Sequence, residues 1–287
     1  MSRSKGVAPT RPGRDRSLSL TRVAGNDRSI QLVTGVGLAL VPVLVVLGVW
    51  VGLALGRPGA RAATHSDPIQ STSRTVPTAV SHLTLLNDDG QPRDLAAFRG
   101  KVVILADFMT SCQEECPITT GALLDVQRSL AADHLLGKVS IVEVSVDPWR
   151  DVPSRLLAYR SMVGAHWELL SGSVANLHRF WSWFGVWYQR VPEGKPASID
   201  WQTGEPYTFD IDHSDAVFVL GPDGNERALV TGNANVGKTL PRSLEKLLDQ
   251  EGRRDLRQPG YASWTPAEML AAVGSVLHEP VPDSTSD

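Results

Sequence analysis

Cysteine is scarce in this chain of 287 residues: there are two, Cys112 and Cys116. Two thiolates are too few for a zinc site, which takes four ligands. Clustered positive charge is missing from most of the chain as well. Residues 57–287 hold 21 basic and 29 acidic residues, a net of −8 with histidine neutral. Phosphate binding needs grouped Lys and Arg, so nucleic acid is not an expected partner. Charge of either sign is absent from Ser29 to Gly56, and internal repeats are absent throughout.

The uncharged run is mostly Val, Leu, Gly and Ala and exceeds the roughly 20 apolar residues that span a hydrocarbon core. Pro42 inside it predicts a kink rather than a break, because Pro is tolerated in membrane spans. Residues 1–28 carry seven basic residues against two acids. The positive-inside rule then predicts a basic cytoplasmic tail over 1–28, a transmembrane helix over 30–56 and everything after Arg57 outside. The expected location is the cell membrane, single-pass, with the N-terminus cytoplasmic and the folded domain extracytoplasmic. A cleaved signal peptide is the rival, with Ala60-Arg61-Ala62 as its processing site, but the run is longer than a usual h-region of about 7–15 residues. No cysteine follows the run closely, which excludes a lipid-modified cysteine anchor there. Either way the cysteine pair lies outside the membrane, where disulfides persist and thiols must be kept reduced to hold metal.

Residues 57–78 are rich in Ser, Thr, Ala, Pro and Arg and predict a flexible linker. A folded domain over 79–251 follows. Leu83–Leu86 and Arg93–Leu95 flank an Asp-Gly turn and predict a hairpin. Lys101–Phe108 and Val139–Val146 are continuous apolar runs that suit buried central strands. Helices are predicted from Pro117 to Asp133, over Pro153–Val163, over the aromatic stretch Ser173–Gly185 and over Leu240–Asp249. Ala216–Leu220, Gly221-Pro222-Asp223-Gly224 and Ala228–Val230 read as a second hairpin. The C-terminal extension, 252–287, predicts one short helix over Pro266–Leu277 with Thr265 as its N-cap. Strand–helix alternation closed by a hairpin and helix implies an α/β fold, a mixed sheet flanked by helices.

The cysteines sit four residues apart, between a buried strand and a helix beginning at Pro117. On a helical turn their separation of about 6 Å, from helix rise and radius, allows either a disulfide or convergence on one ion. Pro117 at the first helical position puts Cys116 at the helix start, where unpaired N–H groups favour its thiolate. Glu114 and Glu115 disfavour a thiolate and favour a bound cation. An inert disulfide is the plain structural alternative, though so short a loop makes a poor staple. Soft thiolates select Cu(I), and an added imidazole makes a three-coordinate site that also holds Cu(II). His65 lies in the linker and His278 near the end, while His82, His134, His166 and His178 read as surface or packing residues. His213, before a strongly apolar strand, is the candidate that stands apart.

Three segments, taken in order, carry a resemblance. Lys101 to Pro117, ending in C-x-x-x-C-P, resembles the copper-site strand and loop of the Sco/SenC family of cytochrome oxidase assembly proteins. Ser145-Val146-Asp147-Pro148-Trp149-Arg150-Asp151 resembles that family's S-[IV]-D-P-x-R-D segment. Asp212-His213-Ser214 with the hairpin after it resembles its D-H-[ST] element. The resemblance covers roughly Leu83 to Asp249. It implies a thioredoxin-like fold that binds one copper ion through Cys112, Cys116 and His213. It also implies delivery of copper to, or preparation of the thiols of, the binuclear copper centre of cytochrome c oxidase. The expected partners are the copper-bearing subunit of that oxidase and other copper chaperones or thiol reductants. Asp212 is a candidate to orient His213, and Asp147, Arg150 and Asp151 are read as a structural loop of caps and ion pairs. The alternative from a different class is a thiol–disulfide oxidoreductase, with Cys112 attacking and Cys116 resolving. A peroxidase is disfavoured, since nothing marks one cysteine as a peroxide-attacking thiolate. The Trp- and Pro-containing loop over 192–208 has no reading from sequence.

Overall fold

The computed structural model describes residues 67–237, 239–260 and 262–283. The expected basic tail and the transmembrane helix over 30–56 lie outside them. Among the described residues no helix is long and apolar enough to cross a membrane.

Among the described residues ten strands form one mixed sheet of eight and one separate ribbon of two. The sheet contains β1 (Ile69–Arg74), β2 (Leu85–Asn87), β3 (Pro92–Arg93), β4 (Val102–Phe108), β5 (Val139–Ser145) and β6 (Glu168–Ser171), with β9 (Ala216–Leu220) and β10 (Glu226–Thr231). Its order is β1-β10-β9-β4-β5-β6-β2-β3. The centre, β4–β5–β6, is parallel, and β9 runs antiparallel along β4. Every residue of β4 is buried, which is why its sequence is apolar but for Asp107 instead of alternating. Strands β7 (Tyr188–Pro192) and β8 (Phe209–His213) make the ribbon, with His213 opposite Tyr188.

Seven α-helices complete the described fold: α1 (Thr78–Ser81), α2 (Glu115–Ala132), α3 (Pro153–Val163), α4 (Val174–Phe184), α5 (Arg242–Glu245), α6 (Gln250–Arg257) and α7 (Pro266–Leu277). Local signals set several of their ends. Pro153 opens α3, Gly164 ends it in the left-handed conformation, and Ser173 caps α4 through Asn176 N–H. Thr265 and Glu268 form a reciprocal capping box on α7. The aromatic α4 is a core helix: Phe180, Trp181 and Phe184 are buried, and Phe184 packs on Phe218 of β9.

The mixed α/β architecture is the expected one, and three boundaries differ from expectation. The linker predicted over 57–78 contains β1, whose Ile69 pairs with Val230 and Ser71 with Ala228 at the sheet edge. The closing helix predicted over Leu240–Asp249 is shortened to α5, and a further helix, α6, follows it over Gln250–Arg257. Pro241 stands at the N-cap of α5, and Asp249 starts a new helix by accepting from Gly252 N–H. The extension placed apart at 252 belongs to the same core. Met269, Leu270 and Val273 recur with helical spacing, are fully buried, and seat α7 against α2 and β4.

One buried acid makes the fold sensitive to pH. Glu143 of β5 is fully buried and accepts from Thr120 Oγ1 at 2.8 Å and Trp167 Nε1 at 2.9 Å. Burial pushes its carboxyl up to about 7. An unfolded glutamate titrates near 4.3, so between about pH 4.5 and 7 the folded chain holds the extra proton. Stability therefore falls as pH rises through that window and levels off above it. Glu143→Gln removes up to about 1.4 kcal/mol per pH unit of that slope. Denaturant melts of parent and variant at pH 5, 6, 7 and 8 read the difference, and equal slopes contradict it.

Candidate metal centre

Strand β4 delivers the chain to the site at Phe108, and the next residues turn tightly, with Cys112 N–H donating to Met109 O at 3.3 Å. This turn is anchored from beneath by the segment 145–151. Thr110 Oγ1 donates to Asp151 Oδ1 at 2.5 Å, Ser145 Oγ donates to Asp151 Oδ2 at 2.6 Å, and Ser111 Oγ donates to Asp147 Oδ2 at 3.3 Å. Arg150 pairs with Asp147 and donates from Nη1 to Phe209 O at 2.9 Å on β8. The acid–arginine segment thus ties the cysteine turn to the strand that carries the histidine. Its expected role as a structural loop is what the contacts describe.

Both cysteines are free thiols and buried. Cys116 lies in the first turn of α2, and its N–H donates to Cys112 Sγ at 3.4 Å. His213, at the end of β8, brings Nε2 to 3.8 Å from Cys116 Sγ. One donor atom from each of Cys112, Cys116 and His213 lies within 4.8 Å of the others. The three expected residues, separated by 97 positions between Cys116 and His213, are brought together. The remaining described histidines do not join them; His82, for example, pairs with Asp94 at 2.8 Å.

The imidazole is oriented by Asp107. His213 Nδ1 is 3.0 Å from Asp107 Oδ2 and 3.3 Å from Ser214 O, both acceptors, which places a proton on Nδ1 and turns Nε2 toward sulfur. Asp107 Oδ1 also accepts from Ala216 N–H at 2.7 Å. Asp212, the expected orienting residue, is exposed on the ribbon opposite Gln189 and does not hold the ring. Asp107 was missed in the sequence, where its one signal is a lone acid inside a fully apolar strand.

Charge at the site follows from these contacts. The Cys116 hydrogen bond lowers the Cys112 thiol well below its ordinary range, against burial, with His213 adding to the effect. Hydrogen bonding to Cys112 and burial push Cys116 well above it. Burial disfavours the charged form of His213, but the bonds to Asp107 and Cys112 outweigh it and raise the imidazole well above its ordinary value. The expectation that the helix start favours the Cys116 thiolate is therefore reversed. Helix α2 begins at Glu115, so Pro117 is its third residue, and the helix-terminal N–H of Cys116 serves Cys112 instead. Burial raises Glu114 to about 7 and Glu115 to about 8, which weakens the local negative field expected of the pair.

Cys112 and His213 open into a cleft of about 330 Å³. The loop over 192–208, whose sequence carries no reading of its own, forms part of its wall through Glu193, Ser198 and Tyr207. Arg155 holds that loop: Nη1 meets Asp200 at 2.9 Å, Nη2 donates to Tyr207 Oη at 3.1 Å, and the guanidinium lies over Trp201. Two soft sulfurs and one imidazole nitrogen, with Cys112 and His213 reaching the cleft, form a donor set that fits copper.

The SCO1/SenC family model matches residues 71–249, more than half of the sequence and all three donor residues. The chain belongs to the SCO1/SenC family. It is 31% identical over 141 residues to the mitochondrial SCO2 homolog of Mus musculus, covering 49% of this chain and 51% of that protein. It is 29% identical over 150 residues to the SCO1 homolog of Bacillus subtilis, covering 50% of this chain and 69% of that protein. ScoI of Bradyrhizobium japonicum, solved with copper bound, is similar with a TM-score of 0.43 at 22% identity, covering 65% of this chain and 96% of that one. The matches to the mitochondrial relatives of mouse, cow and human span 51%, 61% and 66% of their lengths.

Proposed function

We propose that this SCO1/SenC protein is a copper chaperone that carries one copper ion on Cys112, Cys116 and His213. The observation that carries the reading is the convergence of two thiols and one properly presented imidazole nitrogen within 4.8 Å. Copper is cargo here, and the donor set supplies soft ligation open to exchange from the cleft side. The recipient is the copper-bearing subunit of cytochrome c oxidase, whose binuclear centre would be loaded or have its thiols prepared. In this reading the segment 30–56 anchors the domain in the cell membrane with the copper site on the extracytoplasmic side.

Titration of the reduced full chain with Cu(I) against a competing chelator tests the assignment. One equivalent should bind with an affinity tighter than about micromolar, the −8.2 kcal/mol level. Weaker binding, or binding that survives alkylation of both cysteines, sinks it.

A second reading, reduction of a partner's disulfide, has its own support. Cys112 lines the cleft with a lowered thiol, while Cys116 sits behind it with a raised one. That asymmetry suits attack by Cys112 and resolution by Cys116. The two thiols would give two electrons and two protons to the partner disulfide and close their own S–S bond. The two roles are compatible, because a dithiol must be reduced before it loads metal.

A further inference from the structure

Beyond residue 249, where the family match ends, the chain folds back onto the loop between the two cysteines. Asp249 N–H donates to Gln113 O at 2.9 Å. The Asp249 carboxylate starts α6 by accepting from Gly252 N–H at 2.8 Å. That turn lies so close to the loop that a Cβ on Gly252 would stand 2.5 Å from Gln113 O and 2.9 Å from Glu114 Cα. Both are backbone atoms and cannot rotate aside. From the other side, Gln113 Nε2 donates to Ile199 O at 3.1 Å. The residue after Cys112 is thus gripped by its backbone and by its side chain. A third contact holds the next ring of the structure: Trp264 N–H donates to Asn233 O at 3.0 Å, and Asn233 Nδ2 donates to Glu115 Oε1 at 2.7 Å.

Disulfide closure demands a narrow range of Cβ separations, about 3.5–4.5 Å. Cys116 is fixed by α2 and the turn before Cys112 by Asp151 and Asp147, so the backbone at Gln113 and Glu114, which joins them, sets the remaining freedom of Cys112 relative to Cys116. We propose that α6 is a strap that positions the Cys112–Cys116 loop, with Asp249 and Gly252 as the positioning residues that set the dithiol–disulfide equilibrium. The inference deepens the reading of the pair as a working dithiol and does not need copper.

The test equilibrates the metal-free full chain with reduced glutathione and glutathione disulfide. The two thiols pass two electrons and two protons to glutathione disulfide, which is released as two thiols while the Cys112–Cys116 bond closes. Gly252→Ala should lower the equilibrium constant for closure by at least tenfold, about 30 mV. Leu256→Ala, which loosens the buried anchor of α6 without crowding the loop, should shift it in the same direction by more than about twofold. Arg257→Ala, exposed on the same helix, should leave it within about twofold. Melting temperatures are recorded beside each titration. If Gly252→Ala and Leu256→Ala melt earlier yet keep the parent equilibrium within about twofold, α6 is a stabilising helix only and the proposal is overturned. Should Gly252→Ala fail to fold, Leu256→Ala decides alone. Metal is absent throughout, so failure of the copper assignment leaves the outcome readable.

Discussion

His213→Ala lowers the copper affinity of the reduced chain by roughly 100-fold or more, while the cysteines still close and open their disulfide. Substituting a group that merely supports a ligand typically costs 10–100-fold, and this change removes the ligand itself. Three observations make His213 the residue to remove. Its Nε2 faces Cys116 Sγ at 3.8 Å, its Nδ1 proton is committed to Asp107 at 3.0 Å, and it stands at the cleft with Cys112. Alanine leaves two sulfurs and an unpartnered Asp107 oxygen, with nothing to take the third position. Chelator competition on parent and variant measures the loss, and an affinity within about tenfold of the parent removes His213 from the ligand set. A disulfide-exchange assay on the same samples separates the two readings. A variant that loses copper but keeps exchange shows that metal and electrons are handled by separable parts of one site.

The parts of the fold that were legible in sequence are those written in local pattern. β4 and β5 are mostly apolar runs without a polar alternation. α3 and α7 carry a proline at their start, and α7 carries its capping box as well. These signals act within a few residues, so a sequence window contains them. β1 shows the opposite case. Its sequence, Ile-Gln-Ser-Thr-Ser-Arg, has the polarity of a linker, and it becomes a strand because β10 offers an edge to pair with. The ribbon β7–β8 is likewise made by pairing across an intervening loop. The apolar spacing of Leu244, Leu247 and Leu248 suggests a helix longer than α5, which Pro241 delays at its start, while α6, whose apolar content is slight, has no signal in sequence beyond its cap at Asp249.

The site divides along the same line. Two cysteines four apart were conspicuous by scarcity, and His213 became a ligand candidate of weight through the resemblance of its segment. Asp107 was hidden because nothing local explains an acid in a buried strand; its partners are Ala216 and His213, more than a hundred residues away. Asp212, adjacent in sequence to His213, was the natural guess and points the wrong way, since neighbours along a strand face opposite sides. The loop over 192–208 was unreadable for a related reason. Its meaning lies in Asp200, Trp201 and Tyr207 meeting one arginine of α3.

That arginine supports the second large prediction: Arg155→Ala destabilises the folded chain by about 3–5 kcal/mol, the cost of stripping one partner from a buried charged network. Arg155 is buried, donates from Nε to Thr110 Oγ1 at 2.6 Å, and stands 3.8 Å from Asp151, which is itself fully enclosed. Burial and the neighbouring Asp147 already push the Asp151 carboxyl up to about 7. Without the guanidinium, Thr110, Asp200 and Tyr207 each lose a hydrogen bond, and the loop over 192–208 loses its hold on the body of the domain. In a domain of this size the melting temperature should fall by roughly 6–20 °C. Arg155→Lys should recover only part of the loss, since a single ammonium cannot reach Thr110, Asp200 and Tyr207 at once as the planar fork does. Thermal unfolding of parent, Arg155→Ala and Arg155→Lys measures both steps. A shift under about 2 °C for the alanine variant, less than 1 kcal/mol, would show that the network is dispensable and that the cysteine turn is held by Asp151 and Asp147 alone.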